Sequence, residues 1–225
     1  MMLATLLVGS FRGPKSTSDA LGSFLLENLE ANGVKTRKIY IHQSLSSEKG
    51  IQNLCKAVAE TDVLILAAPL FADTLPAPVI KAFELIHEDV TNRNDKKHRT
   101  MIAISNSGFP EARHNNTSLA ISRRFALVSG FEWAGGLALG GGGAINGKRL
   151  EQAGGFVRNI KKSLELTAEA LAKGDVVPED AISLMAKLHM PAWLYLQVSA
   201  NPLLVWLRLK KNGCKESILC APYRA

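Results

Sequence analysis

Residues 3–18 read LATLLVGSFRGPKSTS, and the stretch divides in two at Gly9. Leu3 to Val8 is a short apolar run, too brief for an ordinary helix and suited to a strand buried on both faces. The loop beyond Gly9 carries Ser10, Arg12, Gly13, Lys15, Ser16, Thr17 and Ser18. Apolar Ala20, Leu21, Phe24, Leu25 and Leu29 then recur at helical spacing. The order is strand, hydroxyl-rich loop, helix. A helix N-terminus presents unpaired N–H groups and the positive end of its dipole, so small hydroxyl residues in front of it suit a phosphate. The simpler role for Ser16, Thr17 or Ser18 is a helix cap. One cap needs one hydroxyl, whereas this loop has several together with Arg12 and Lys15.

The loop departs from the P-loop pattern, which leaves a nucleoside triphosphatase as a minor alternative. Gly9, Gly13, Lys15 and Ser16 come near the pattern G-x-x-x-x-G-K-[ST], but the glycine spacing is one residue short and Pro14 directly precedes Lys15. Pro also removes an N–H from the cradle. The later apolar runs end in Ala67-Ala68-Pro69 and Ser105-Asn106-Ser107 rather than in a magnesium-binding Asp. The dinucleotide fingerprint G-x-G-x-x-G is absent as well.

The chain of 225 residues is 47% hydrophobic, enough to bury one full core. Its mean hydropathy of +0.06 is that of an ordinary soluble protein. A net charge of +7 favours anionic partners. Aromatics do not interleave with the basic residues as they do where bases are stacked, so nucleic acid is not expected. Cys55, Cys214 and Cys220 form no C-x-x-C pair and are odd in number, which points to a reducing, cytoplasmic setting. No secretory leader is evident, and no apolar run reaches the ~18 residues of a membrane span, so stable membrane insertion is not expected.

Further along, strands and helices alternate. Val34 to Ile41 reads as a second strand, Lys49 to Glu60 as a helix, and Asp62 to Ala68 as a strand buried on both faces. Leu75 to His87 reads as a helix with Pro76 and Pro78 near its start, and the charged Glu88 to Arg99 as a surface loop. Met101 to Ile104 gives a fourth strand, Asn116 to Ser129 a helix, and Phe131 to Leu139 a fifth strand that opens into Gly140 to Gly143. A long helix is expected from about Arg149 to Ala172. This rhythm implies right-handed crossovers and a parallel sheet covered on both faces.

Ligands of such sheets bind beyond the carboxyl ends of the strands, where the strand order switches. The loops after strands one, three and four therefore define the candidate site. The first suits a phosphate. The second, Pro69 to Pro76, sets Phe71 among small and polar residues and suits a flat ring. The third, from Asn106 to Glu111, has Gly108 where backbone N–H groups can turn toward a ligand.

In these three loops the chain resembles the flavodoxin-like NAD(P)H-dependent FMN reductase family. GSFRGPKSTSDAL is similar to the family's phosphate loop, APLFADTLPAPVIKAF to its ring loop, and SNSGFPEARHN to its third, glycine-centred loop. Together they span residues 1 to about 145 in the family's order. Phe71 stands where Tyr is common, and Ala72-Asp73 replaces the usual aromatic and Gly. The resemblance implies a doubly wound, five-stranded parallel sheet of order 2-1-3-4-5, an α/β fold. It implies that Ser10, Arg12, Ser16, Thr17 and Ser18 hold the FMN phosphate. Pro69, Leu70, Phe71, Ala72, Asp73 and Thr74 would line the ribityl chain and ring, and Asn106, Ser107 and Gly108 the pyrimidine edge.

The implied activity is an FMN-dependent NAD(P)H oxidoreductase that passes electrons to a small acceptor such as a flavin or quinone. Hydride chemistry belongs to the cofactor, which accounts for the lack of G-x-S-x-G and H-E-x-x-H motifs. His114 is either a proton donor near the ring or a surface histidine. Two other functions stay open, a non-enzymatic FMN electron carrier and a flavin-free fold that binds another phosphate. Carriers are often acidic, and a charge of +7 has the opposite sign.

Residues 1–175 are read as the FMN-binding domain and 176–225 as a helical extension packed on it. Within that extension Asn201-Pro202 starts a helix with Leu203, Leu204, Trp206 and Leu207 on its apolar stripe and Lys210, Lys211 and Gly213 at its end. That helix suits core packing, a homodimer contact, or an acidic membrane surface.

Overall fold

A computed structural model describes residues 1–93 and 97–187. The expected helix of Asn201 to Gly213 lies outside the described residues.

Five strands form one parallel sheet in the order β2-β1-β3-β4-β5. They are β1 (Leu3–Val8), β2 (Lys35–Tyr40), β3 (Val63–Pro69), β4 (Thr100–Asn106) and β5 (Glu132–Leu139). This is the doubly wound order that the resemblance implies, with the chain reversing direction across the sheet between β1 and β3.

Helices cover both faces because consecutive strand residues point to opposite sides. On one face Leu6 and Val8 of β1 and Ile65 of β3 pack against α1 (Thr17–Ala31), α6 (Arg158–Lys173) and α7 (Glu179–Ala186). On the other, Leu7, Leu64 and Leu66 pack against α3 (Glu48–Glu60), α4 (Ala77–Asn92) and α5 (Asn116–Val128). There Phe83 of α4 and Phe125 of α5 stack with ring centroids 3.8 Å apart. A four-residue helix, α2 (Ile41–Ser44), joins β2 to α3 and buries Ile41.

Two expected boundaries are corrected. Helix α4 runs to Asn92, so most of the first half of the expected loop Glu88 to Arg99 is helical. The cause is Val90, which continues the buried stripe of Val79, Phe83 and Ile86, aided by the Asp89–Arg93 ion pair one turn apart. Helix α6 begins at Arg158 rather than at Arg149. Gly154 at φ +81°, followed by Gly155, interrupts the helix, and residues 150–157 form short 3-10 turns instead. Beyond α6, the Val177 N–H donates to the Ala134 carbonyl at 2.8 Å. Ala181 and Met185 of α7 are buried in the same core as α1. Among the described residues, no helix is long and apolar enough to cross a membrane.

At the amino ends of the strands, Asp62 ties β1 to β3. Its carboxylate accepts from the Leu3 N–H and pairs with Lys97, each at 2.8 Å. Partial burial alone would raise its pKa, but the Lys97 ammonium and the Leu3 N–H outweigh that and hold it below the usual carboxylate value. A depressed folded-state pKa stabilises the protein above the unfolded value, and that contribution disappears as pH falls through the folded value. Asp62→Asn is therefore expected to lower stability at neutral pH and to flatten the acid side of the stability profile below about pH 5. Denaturant midpoints from pH 7 to pH 3 check this, and parallel profiles for the two proteins would refute it.

Candidate functional site

The loops after β1, β3 and β4 converge at the carboxyl edge of the sheet around a cleft of about 180 Å³. Ser10, Arg12, Ser16, Thr17 and Ser18 form one wall, Pro69 and Leu70 a second, and Asn106, Ser107 and Gly108 a third. Gly142 and Gly143, from the loop after β5, complete the lining.

The hydroxyls of the first loop have divided roles. Ser16 is the N-cap of α1, with Oγ accepting from the Asp19 N–H at 3.0 Å and donating to the Gly13 carbonyl at 2.7 Å. Capping therefore accounts for Ser16. The Thr17 hydroxyl donates to the Gly142 carbonyl at 2.9 Å, and Ser18 Oγ accepts from Asn106 Nδ2 at 2.8 Å. These bonds fasten the loops after β1, β4 and β5 to one another. Capacity for a ligand remains. The N–H groups of Thr17 and Ser18 lie too early in α1 for an intrahelical acceptor. Ser10 and Ser18 accept through Oγ, which leaves each hydroxyl proton to donate. The Arg12 guanidinium adds formal positive charge, with Nη2 held 3.1 Å from Asn146 Oδ1.

Phe71, Ala72, Asp73 and Thr74 do not line this cleft. They form a tight turn in which Phe71 and Thr74 exchange N–H···O bonds of 2.8 and 3.1 Å. Its two central residues have positive φ, +46° at Ala72 and +61° at Asp73, which is hairpin geometry that favours Asn-Gly. Phe71 is 62% exposed beside it, and Phe109 of the third loop is 49% exposed. Alanine in a left-handed conformation costs about 1 kcal/mol. An Ala72→Asn/Asp73→Gly variant should therefore melt higher by a few degrees, at roughly 2–4 °C per kcal/mol for a chain of this size. An unchanged or lower melting temperature would refute that reading of the turn.

Two contributors escaped the sequence reading. Asn115, fully buried, joins the third loop to the sheet. Its Nδ2 donates to the carbonyls of Leu139 and Ala112, each at 3.1 Å, while its Oδ1 accepts from the Ser105 hydroxyl at 2.9 Å. An Asn directly before a helix gave no signal beyond capping. The second is the 142–143 backbone, and here the glycine run after β5 was the available signal. A Cβ on Gly142 would lie 3.3 Å from Asn106 Oδ1 and from the Ser107 carbonyl, tightening the packing that shapes the cleft. The His114 ring lies tilted against Phe109 with centroids 4.5 Å apart, and its Nε2 is 3.5 Å from Glu111 Oε2.

No protein-family model matches the chain, and no curated protein matches it. Solved structures do. The apo form of an NADH:FMN oxidoreductase aligns with a TM-score of 0.60 at 13% identity, over 85% of this chain and 97% of that one. A putative quinone reductase from Klebsiella pneumoniae aligns at 0.55 and 12%, over 79% of this chain and 88% of that one. A flavodoxin, WrbA-like protein from Agrobacterium tumefaciens aligns at 0.53 and 13%, over 77% and 99%. At such low identity these likenesses speak to architecture. The chain has the flavodoxin-like fold.

Proposed function

We propose that the protein is an FMN-dependent NAD(P)H oxidoreductase that passes electrons to a small acceptor such as a flavin or quinone. The observation that carries this reading is the cleft itself. At the β1/β3 switch point, the Thr17 and Ser18 N–H groups, the Arg12 guanidinium and the α1 dipole share one wall with small, close-packed loops opposite. A monoester phosphate at the end of a flat heterocycle matches that arrangement, and the solved structures of the same fold include an NADH:FMN oxidoreductase.

The residues present fit FMN. Thr17 and Ser18 would bind the phosphate through their N–H groups, Ser10 and Ser18 through their hydroxyl protons, and Arg12 through its charge. Pro69, Leu70 and the turn from Phe71 to Thr74 would flank the ribityl chain and ring, and Asn106, Ser107 and Gly108 the pyrimidine edge. A Cβ on Gly108 would meet no protein atom within 4 Å, so that edge is open to a ligand. When bound, FMN supplies hydride acceptance and onward electron transfer. The chain itself would anchor the phosphate end of the cofactor, and the exposed Phe71 and Phe109 would offer aromatic surface on which a nicotinamide or acceptor ring can stack. Neither a nucleophile nor a general base is required of it. A basic protein also attracts the phosphates of NAD(P)H.

Fluorescence titration of the flavin-free protein tests this reading. FMN should bind at least about a hundredfold more tightly than riboflavin, because several charge-assisted hydrogen bonds depend on the phosphate. Equal affinity for the two would remove the proposal.

A further inference from the structure

Asp19 occupies the third position of α1, immediately after Thr17 and Ser18, which line the cleft. A carboxylate there favours a bare helix N-terminus, but it repels an anion bound at the same end. Its side chain is only 12% exposed, so solvent screens it poorly. Asp19 does not reach back to cap its own helix. Its Oδ1 instead accepts from Lys38 Nζ at 3.0 Å and from the Tyr40 hydroxyl at 2.9 Å. Lys38 and Tyr40 are two residues apart on β2 and so share a face. Lys38 Nζ is held further by Ser23 Oγ, one turn along α1, at 2.8 Å. The cation is thus fixed against the carboxylate by groups on both elements.

Protonation follows the same geometry. Burial alone would lower the pKa of Lys38, but the hydrogen bond and charge of Asp19 outweigh it and hold the pKa above the usual lysine value. Burial and the Asp19 carboxylate both raise Tyr40, which stays a neutral donor. Lys38 is therefore an ammonium at any physiological pH.

Resting on the FMN reading above, we infer that Lys38 is a positioning residue for the phosphate: it cancels the Asp19 charge behind the anion loop and so sets the cleft's affinity for a phosphate without touching it. Arg12 supplies charge at the front of the loop, and Lys38 removes an opposing charge from behind. A purely structural role, in which the pair merely clamps α1 to the edge strand β2, makes a different prediction. It would change melting temperature and leave discrimination between FMN and riboflavin intact.

The test is a charge cycle on the flavin-free protein, titrated with FMN and riboflavin at low and high ionic strength, with thermal melting as the control for folding. Lys38→Met should weaken FMN about tenfold, the order expected of one uncompensated charge several ångströms away, and leave riboflavin unchanged. Asp19→Asn alone should tighten FMN, and Asp19→Asn/Lys38→Met should return to within about twofold of the wild type. Lys38→Arg should preserve the wild-type ratio, and every difference should shrink in high salt. Equal losses for FMN and riboflavin in Lys38→Met, or no rescue in the double variant, would overturn the inference and leave the FMN reading standing. A wild type that binds riboflavin as well as FMN would remove both.

Discussion

Ser16→Asp should fold and yet lose FMN by a factor of about a hundred or more, because a unit charge about 4 Å from a phosphate costs roughly 4 kcal/mol at the effective dielectric of a protein surface. The site makes this substitution unusually clean. Ser16 caps α1 by accepting from the Asp19 N–H, and Asp caps as well as Ser does, so the helix keeps its first turn. What is lost is the bond from the Ser16 hydroxyl to the Gly13 carbonyl, a neutral contact within the loop worth about 1 kcal/mol. Riboflavin carries no phosphate and should be affected far less. Titration of both flavins, with a melting curve as control, reads the two effects separately. A Ser16→Asp protein that holds FMN as tightly as the wild type would place the phosphate elsewhere.

Asn115→Leu is expected to cost about 3 kcal/mol of stability, since it removes three hydrogen bonds of one fully buried amide at about 1 kcal/mol each. The Leu139 carbonyl and the Ser105 hydroxyl lose a fully buried partner and the half-buried Ala112 carbonyl loses one too, although Leu139 keeps the Ser107 N–H at 3.0 Å. Ser105 retains its 2.6 Å contact with the Ser118 hydroxyl, which sets an upper limit to the damage. At roughly 2–4 °C per kcal/mol, the melting temperature should fall by about 10 °C. Asn115→Asp is the informative companion. It keeps the acceptor for Ser105 but turns a double donor toward carbonyls into an acceptor, so it should be no better than Leu. A loss under about 1 kcal/mol in either variant would mean that these bonds are not what holds the third loop to β4 and β5.

Much of this molecule can be read from local apolar patterning. The runs at Leu3–Val8 and Val63–Pro69 are buried on both sides, so hydrophobicity alone marks them as interior strands. Punctuation marked the loops that gather at the cleft, through Gly9, Pro69 and Gly108. Patterning failed where charge and burial conflict. Glu88 and Asp89 look like a loop, although Val90 between them and Asn92 is still in the core stripe. It failed again at 149–157, where one buried residue per 3-10 turn imitates the start of a helix that Gly154 delays.

At the cleft, the sequence displayed the hydroxyls of the first loop without dividing their labour. Ser16 closes the helix, Thr17 and Ser18 fasten loops from distant parts of the chain, and the Thr17 and Ser18 N–H groups are left without an intrahelical acceptor. Those partners lie 125 and 88 residues away, which no local pattern encodes. The balance between Asp19 and Lys38 is hidden as well, because the two lie 19 residues apart on different elements, α1 and β2.

The central claim is that this fold and cleft make an NAD(P)H-consuming flavin enzyme rather than a passive carrier. Stopped-flow mixing of the FMN-loaded protein with NADPH, and separately with NADH, under anaerobic conditions tests it most directly. The visible flavin absorbance should bleach within seconds or faster with at least one nucleotide and return when a quinone or free flavin is added. No bleaching over many minutes with either nucleotide, in a protein that holds its FMN, would contradict the account and point to a carrier.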